Sequence, residues 1–306
     1  MHLKLSTFQK TKVHERYKQQ VRLYFQHQAV WLLMVLLISL GLVACAPGSA
    51  SDERGTPVAP TESAAGRLTF AGSTTMQPLV ERMATPYREQ YPNVELEIAA
   101  GGSVVGINAV QDGSADIGMA SRELRDEEMM PGVERYHVAS DALAIIVHPS
   151  NPVRQLTFDQ LQGIYTGEIT NWQEVTGQDS AIIPVVREIS SGTRGAFDDI
   201  VLGDLLLTEA IDVQVTAGEV EARVASRPDA IGYVGFGNIG SDVVVIAINN
   251  VEPTPESIQS SEYPLQRPLL LLTGSLSREL SQSFVDFALS PEGQEIVNAE
   301  GWVPIQ

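Results

Sequence analysis

The chain reads as an α/β protein with a largely parallel sheet and flanking helices. Two observations carry that reading. From Leu68 onward, short strand-like apolar runs alternate with helical patterns, an order that builds βαβ units. Three of the early runs end in turns of glycine and small hydroxyl residues. Open α/β sheets present such turns along the edge formed by the carboxyl ends of their strands, where ligands bind.

The elements follow in order. Leu68-Thr69-Phe70-Ala71 is a short strand ending in Gly72-Ser73-Thr74-Thr75. The next helix carries Pro78 in its first turn, where proline is tolerated. Leu79, Val80, Met83 and Tyr87 give it an apolar face, and Pro86 is expected to kink or shorten it. Residues 94–98 alternate as a strand; Gly101-Gly102-Ser103 then opens a helix through about Gln111, closed by Gly113. Residues 115–120 form a third strand ending at Ser121-Arg122, followed by a short acidic helix from Glu123. Asp141 introduces a continuous buried strand, residues 142–147.

A second unit begins near His148. Thr157 and Gln160 make a capping box for a helix through about Ile164. Residues 182–186 and 231–234 supply strands, 252–262 a loop, and 268–273 a buried strand. Two helices finish the chain, one from near Ser277, the other capped by Ser290 with Pro291 at its first position. The expected division is a first lobe of residues 67–143 plus 265–306 and a second lobe of residues 144–264. The chain then crosses between lobes twice, which suits a hinge.

The N-terminus lies outside that fold. Residues 1–28 hold Lys4, Lys10, Lys12, Arg16, Lys18 and Arg22 against Glu15 alone, and residues 29–44 are apolar, ending Leu42-Val43-Ala44-Cys45. A basic region, an apolar core and small residues make an export signal. The apolar run falls short of the roughly twenty residues of a spanning helix. The Leu-Val-Ala-Cys box is similar to a bacterial lipoprotein cleavage site, with Cys45 as the lipidated first residue; an uncleaved membrane anchor is the alternative. Residues 45–66 are small, polar and proline-containing, a disordered tether. Cys45 is the single cysteine, which excludes an internal disulfide.

Residues 1–44 hold six basic and one acidic residue, so the mature chain keeps fourteen basic and thirty-seven acidic ones, a net charge of −23. All fourteen are arginine. This acidic balance argues against nucleic acid and anionic membrane surfaces as partners.

An anion site is nevertheless written into one turn, Arg187-Glu188-Ile189-Ser190-Ser191-Gly192-Thr193-Arg194, which joins an apolar strand to a helix. Helix N-termini expose amides where the dipole is positive, and arginine supplies a charged fork. The turns at residues 71–75 and 101–103 have the same character. Screening confines the repulsion from the acidic surface to about 8–10 Å, so arginines and dipoles decide inside a cleft.

Residues 71–75, 115–122, 163–172, 187–194 and 289–294 together resemble the phosphate-binding proteins of bacterial phosphate ABC importers, the PstS family. The resemblance spans residues 67–306 in order. It implies a two-lobed periplasmic-binding-protein-like fold of type II, with mixed, mostly parallel sheets, flanking helices and a hinge. It also implies a function: an extracytoplasmic, lipid-anchored monomer that captures inorganic phosphate and delivers it to ABC permease subunits. Carried over by position, Thr74, Thr75, Ser103, Ser121, Arg122, Arg187, Ser191, Gly192 and Thr193 are the implied phosphate ligands. The best-known members carry an aspartate directly after the third-turn serine, where this chain has Arg122. The proton of HPO4²⁻ then needs another acceptor; Asp141 is the candidate, with Glu123 and Glu188 as alternatives.

No His-Glu-x-x-His, Walker loop or Gly-x-Ser-x-Gly elbow occurs, and Ser191 lacks an evident base. The expectation is therefore a binding protein without metal, cofactor or enzymatic activity. Other tetrahedral oxyanions such as sulfate or molybdate are alternative ligands, and a sensor or adhesion lipoprotein reusing the fold is an alternative role.

Overall fold

The computed structural model describes residues 65–176, 178–275 and 279–305. The expected signal peptide, Cys45, residues 45–64 of the tether and the helix start near Ser277 lie outside these residues.

The first sheet is built from β1 (Gly66–Gly72), β2 (Val94–Ala100) and β3 (Ile117–Ala120). β1 pairs parallel with both β2 and β3, so the turns leaving all three strands stand on one edge. Helices α1 (Gln77–Gln90) and α2 (Ser103–Asp112) connect them. α1 continues past Pro86, and its buried residues Leu79, Val80, Met83 and Tyr87 anchor both sides of the proline. A 3-10 turn at Asp126–Glu128 replaces the acidic helix expected from Glu123.

β4 (Glu134–Val147) is twice the expected length and joins the two halves of the molecule. Its first part pairs antiparallel with β10 (Gln266–Thr273), up to Ala142 opposite Gln266. From Leu143 it pairs antiparallel with β8 (Ala230–Gly235). The register thus changes sheets between Ala142 and Leu143. Strand order is β2-β1-β3-β10-β4-β8-β6-β7, where β6 is Ile183–Arg187 and β7 is Asp212–Gln214. β6 runs parallel to β7 and β8. Two further short strands, β5 (Gln155–Leu156) and β9 (Val244–Ile248), pair with each other, and β9 also with β4.

Helices cover both halves. α3 (Phe158–Thr166) starts at the Thr157/Gln160 capping box read from the sequence. The short helices α4 (Gln173–Thr176) and α5 (Gly192–Phe197) follow, then α6 (Ala217–Ala225) and α7 (Pro255–Gln259), the last inside the segment expected as a loop. α8 (Glu279–Leu289) and α9 (Pro291–Ala299) pack back on the first sheet, and β11 (Val303–Pro304) pairs with β4.

Among the described residues, the two largest of four buried clusters lie on either side of the β4 crossing. In one, Phe284 stands edge-on to Phe70 and Tyr87, with centroids 4.7 and 5.0 Å away. In the other, Phe197 of α5 stacks on Tyr233 of β8 at 4.1 Å. That stack packs the short helix that follows Arg187 against β8.

Candidate functional site

Four strand ends supply the site. β1 delivers Ser73-Thr74-Thr75, β2 delivers Gly101, Gly102 and Ser103, β3 delivers Ser121, and β6 delivers Arg187 and the turn capped by Ser191. Ser73 Oγ accepts from the Thr75 and Met76 amides at 3.2 and 3.4 Å, which curls the first turn. Ser191 Oγ accepts from the Arg194 amide at 3.3 Å and caps α5.

The structure brings these turns together. Thr75 Oγ1 lies 3.1 Å from Thr193 Oγ1. Arg187 Nη2 donates to Thr74 Oγ1 at 3.0 Å. Ser103 Oγ accepts from the Ser121 amide at 3.0 Å and lies 3.4 Å from Ser121 Oγ. The Val104 amide donates to Ser190 O at 3.1 Å, and Ser190 Oγ lies 3.2 Å from Gly101 O. Thr75, Ser103, Ser121, Arg187, Ser191 and Thr193 are all buried.

Two glycines make the approach feasible. A Cβ on Gly192 would stand 2.8 Å from Ser121 Oγ and closer still to Ser103 Oγ. A Cβ on Gly102, whose φ is +91°, would stand 2.6 Å from Ser190 O. Only a hydrogen fits at either position, so the second-lobe turn seats against the first lobe backbone to side chain.

The charge at the site comes from two arginines. Arg187 sends Nε and Nη2 to Val215 O at 3.1 and 2.7 Å, which aims the fork. Burial lowers its pKa to about 10, with Arg267 adding repulsion, while Tyr233, Glu188 and Glu219 oppose the shift. It remains a cation at neutral pH, and an anion beside it relieves the same field.

Arg267, on β10, is the residue that the sequence reading missed. Its Nη1 donates to Thr193 Oγ1 at 2.8 Å and to Ser121 O at 3.2 Å; Nη2 reaches Thr75 Oγ1 at 3.4 Å. Its Nε and Nη2 both donate to Asp141 Oδ2, at 3.0 and 2.8 Å. Asp141 Oδ1 is buried and has no hydrogen-bond partner. Asn238 joins the group from the second lobe: its Nδ2 donates to Thr75 O at 3.3 Å, and its Oδ1 is likewise buried without a partner. The signal available in the sequence was a charge at the head of an apolar strand, since Gln266–Thr273 is otherwise almost continuously buried.

Arg122 is held by a carboxylate and a carbonyl. It was expected among the anion ligands, but its fork is bidentate on Glu128, at 2.7 and 2.6 Å, and Nη1 also donates to Glu123 O at 2.7 Å. Burial acts to raise the Glu128 carboxyl; the Arg122 fork, the Arg125 amide and both guanidinium charges more than offset it, and its pKa is lowered. A buried guanidinium already matched by a carboxylate has little left for a ligand. Arg194 is similarly engaged, with Nε on both oxygens of Asp198 at 2.7 Å. Of the alternative acceptors, Glu123 pairs with Arg135 at 3.2 Å and Glu188 accepts from Ser190 Oγ at 2.5 Å.

Among the described residues no group of three or more histidine, cysteine, aspartate or glutamate side chains could hold a metal ion. The assembled site is instead a set of hydroxyls and two guanidinium groups, suited to a small oxyanion.

Comparison with known proteins agrees with this chemistry. Residues 57–292 match the family model described as a PBP superfamily domain. The phosphate-binding protein PstS of Bacillus subtilis is 31% identical over 281 residues, covering 90% of this chain and 93% of that protein. PstS of Borreliella burgdorferi is 32% identical over 252 residues, covering 78% and 90%. Among solved structures, a putative phosphate ABC transporter substrate-binding protein with bound phosphate from Clostridium perfringens is 37% identical. It superposes with a TM-score of 0.76, covering 79% of this chain and all of that one. On a fold, a site and relatives of this kind, the chain belongs to the PBP superfamily and, within it, to the PstS family of phosphate-binding proteins.

Proposed function

We propose that the protein is an extracytoplasmic receptor that captures inorganic phosphate between its two lobes and delivers it to an ABC importer. The observation that carries this reading is the meeting of Thr75 and Thr193, one from each lobe, beside Arg187 and Arg267. The lobes are residues 67–143 plus 265–306 and residues 144–264.

Thr74, Thr75, Ser103 and Ser121 receive the anion on the first lobe. Arg187, Ser191, Gly192 and Thr193 close over it from the second. Hydroxyl, amide and guanidinium donors replace the ion's water shell, and each charge-assisted bond contributes about 1.5–3 kcal/mol. Asp141 Oδ1, buried and without a donor, accepts the proton that phosphate carries and sulfate lacks. An acceptor-only Oδ1 facing sulfate stays unpaired and repulsive, and discrimination follows from that penalty. The closed form is what the permease recognises, so ligand binding couples to transport through a population shift.

The protein performs no chemistry on its ligand and works as a monomer. It is held at the membrane by lipid on Cys45, with residues 45–66 as tether. Titration calorimetry with phosphate and with sulfate tests the central claim. One phosphate per chain and no displacement by millimolar sulfate are expected; a chain that binds sulfate as well as phosphate, or neither, overturns it.

A further inference from the structure

The contacts of Arg267 have a consequence for hydroxyl protons. A guanidinium is donor-only, so every oxygen facing it must accept. Arg267 faces the Oγ1 atoms of both Thr193, at 2.8 Å, and Thr75, at 3.4 Å. The two threonines also share a bond of 3.1 Å, which uses one of their two hydroxyl protons. Neither proton can point at Arg267. One therefore closes the Thr75–Thr193 bond, and the other is left for an acceptor outside the trio.

The rest of the guanidinium is held from behind. Asp141 Oδ2 takes Nε and Nη2, and Ser121 O takes Nη1. Arg267 is 4% exposed and Asp141 fully buried. The fork therefore cannot swing out to meet solvent, and its direction is fixed by two strands, β4 and β10. Thr193 belongs to the second lobe and Thr75 to the first, so Arg267 bonds a hydroxyl of each.

We infer that Arg267 is a positioning residue of the anion site: it aligns the Thr75 and Thr193 hydroxyls across the lobe interface, so that a hydroxyl proton faces the bound oxyanion only when the lobes are closed. This rests on the reading of the site as a phosphate site. Its effect on the ligand runs through Thr193, the partner nearest to the fork.

A double-mutant cycle on the full chain tests it, read as phosphate affinity by calorimetry, with thermal unfolding of the ligand-free protein measured in parallel. The variants are Arg267→Lys, Thr193→Val and the pair. Lysine keeps the charge beside Asp141 and removes the fork, so what is lost is alignment. Arg267→Lys is expected to weaken phosphate about tenfold, the scale of one hydrogen bond. In the Thr193→Val background the same change should alter affinity by less than about threefold, because the hydroxyl it acted on is gone. Independent losses that multiply, or an Arg267→Lys protein that binds like the parent, overturn the inference. If Arg267→Lys does not fold, Arg267→Gln, which keeps an N–H donor beside Asp141, is carried through the same cycle. A parent protein that binds no phosphate would refute the phosphate reading itself, a separate failure visible before any variant is made.

Discussion

Asp141 and Arg267 stand directly opposite each other in the antiparallel register of β4 and β10, and their side chains form an ion pair that is 0% and 1% exposed. The pair sits at the point where β4 passes from one sheet to the other. Both charges are buried, and the guanidinium continues from the carboxylate to the hydroxyls of Thr75 and Thr193. The same pair therefore stands at the β4 crossing and against the hydroxyls of Thr75 and Thr193.

Breaking the pair from one side should be costly. Asp141→Ala leaves a guanidinium buried and unmatched, and removing one partner of a buried pair typically costs about 3–5 kcal/mol. Thermal unfolding of the ligand-free protein should show this as a large drop in Tm. Replacing both by apolar residues, Asp141→Leu with Arg267→Met, should recover most of it while phosphate binding stays lost. A double variant as unstable as the single one would show that the strands, and not the charge, need these residues.

Arg187 should behave in the opposite way. Burial lowers its pKa to about 10, so the folded state disfavours the cation by ~3 kcal/mol. For a base with a lowered folded value the penalty is fully present below about pH 10 and fades as pH rises towards the unfolded value. At neutral pH Arg187→Met removes that penalty along with the bonds to Thr74 and Val215. Ligand-free stability should then stay within about 1 kcal/mol of the parent, the scale of a typical net hydrogen-bond contribution. The Tm rise that phosphate produces by mass action should disappear. A parent-sized rise in the variant would remove Arg187 from the site.

How far the sequence revealed this arrangement depends on the range of the interactions. Local signals were legible: the Thr157/Gln160 box, the Ser290-Pro291 start of α9, and the polar turns after β1, β2, β3 and β6 all occur where residue spacing put them. Contacts made by β register were not. Arg267 meets Asp141 across 126 positions of chain, and no turn motif contains it. The first half of β4 was missed because Glu134, Arg135 and His137 are polar; its pairing partner, apolar β10, supplies the strand. The pairing of Arg122 was not legible for a related reason, since its acceptor Glu128 comes from a 3-10 turn whose position no motif marks.

The Arg122–Glu128 pair yields its own prediction. Arg122→Met should leave phosphate affinity within about threefold of the parent, the margin expected for independent sites, while lowering Tm. The loss should be pH-dependent in the parent. Glu128 has a folded pKa below its ordinary value, so its pairing with Arg122 stabilises the fold above the ordinary carboxylate range. The contribution disappears as pH falls through the folded value. The Tm difference between parent and Arg122→Met should therefore narrow in acid. A variant that loses phosphate binding with unchanged Tm would restore Arg122 to the site.

Anchoring is testable independently of binding. If Cys45 carries the lipid, Cys45→Ala should shift the protein from the membrane fraction to the medium or periplasm, because the acyl chains on that residue would be what holds it there. Phosphate affinity of the released protein should equal that of the parent. Retention in the membrane fraction would favour the uncleaved apolar segment at residues 29–44 as anchor.

The tight seating of Gly192 predicts a defect in closure without a defect in folding. Gly192 lies against Ser103 and Ser121, and a methyl group there meets both hydroxyls. Neither serine can retreat, because the Ser121 amide donates to Ser103 Oγ and both side chains are buried. Each lobe keeps its own core in Gly192→Ala, since the two clusters lie on either side of the β4 crossing, so ligand-free Tm should barely move. Phosphate affinity should fall by about a hundredfold or more, the range in which a lost closed state removes about 3 kcal/mol. Small-angle scattering gives the second readout: the parent should contract when phosphate is added, and the variant should not. Contraction in Gly192→Ala equal to the parent's would mean that the lobes close without the turn meeting Ser103.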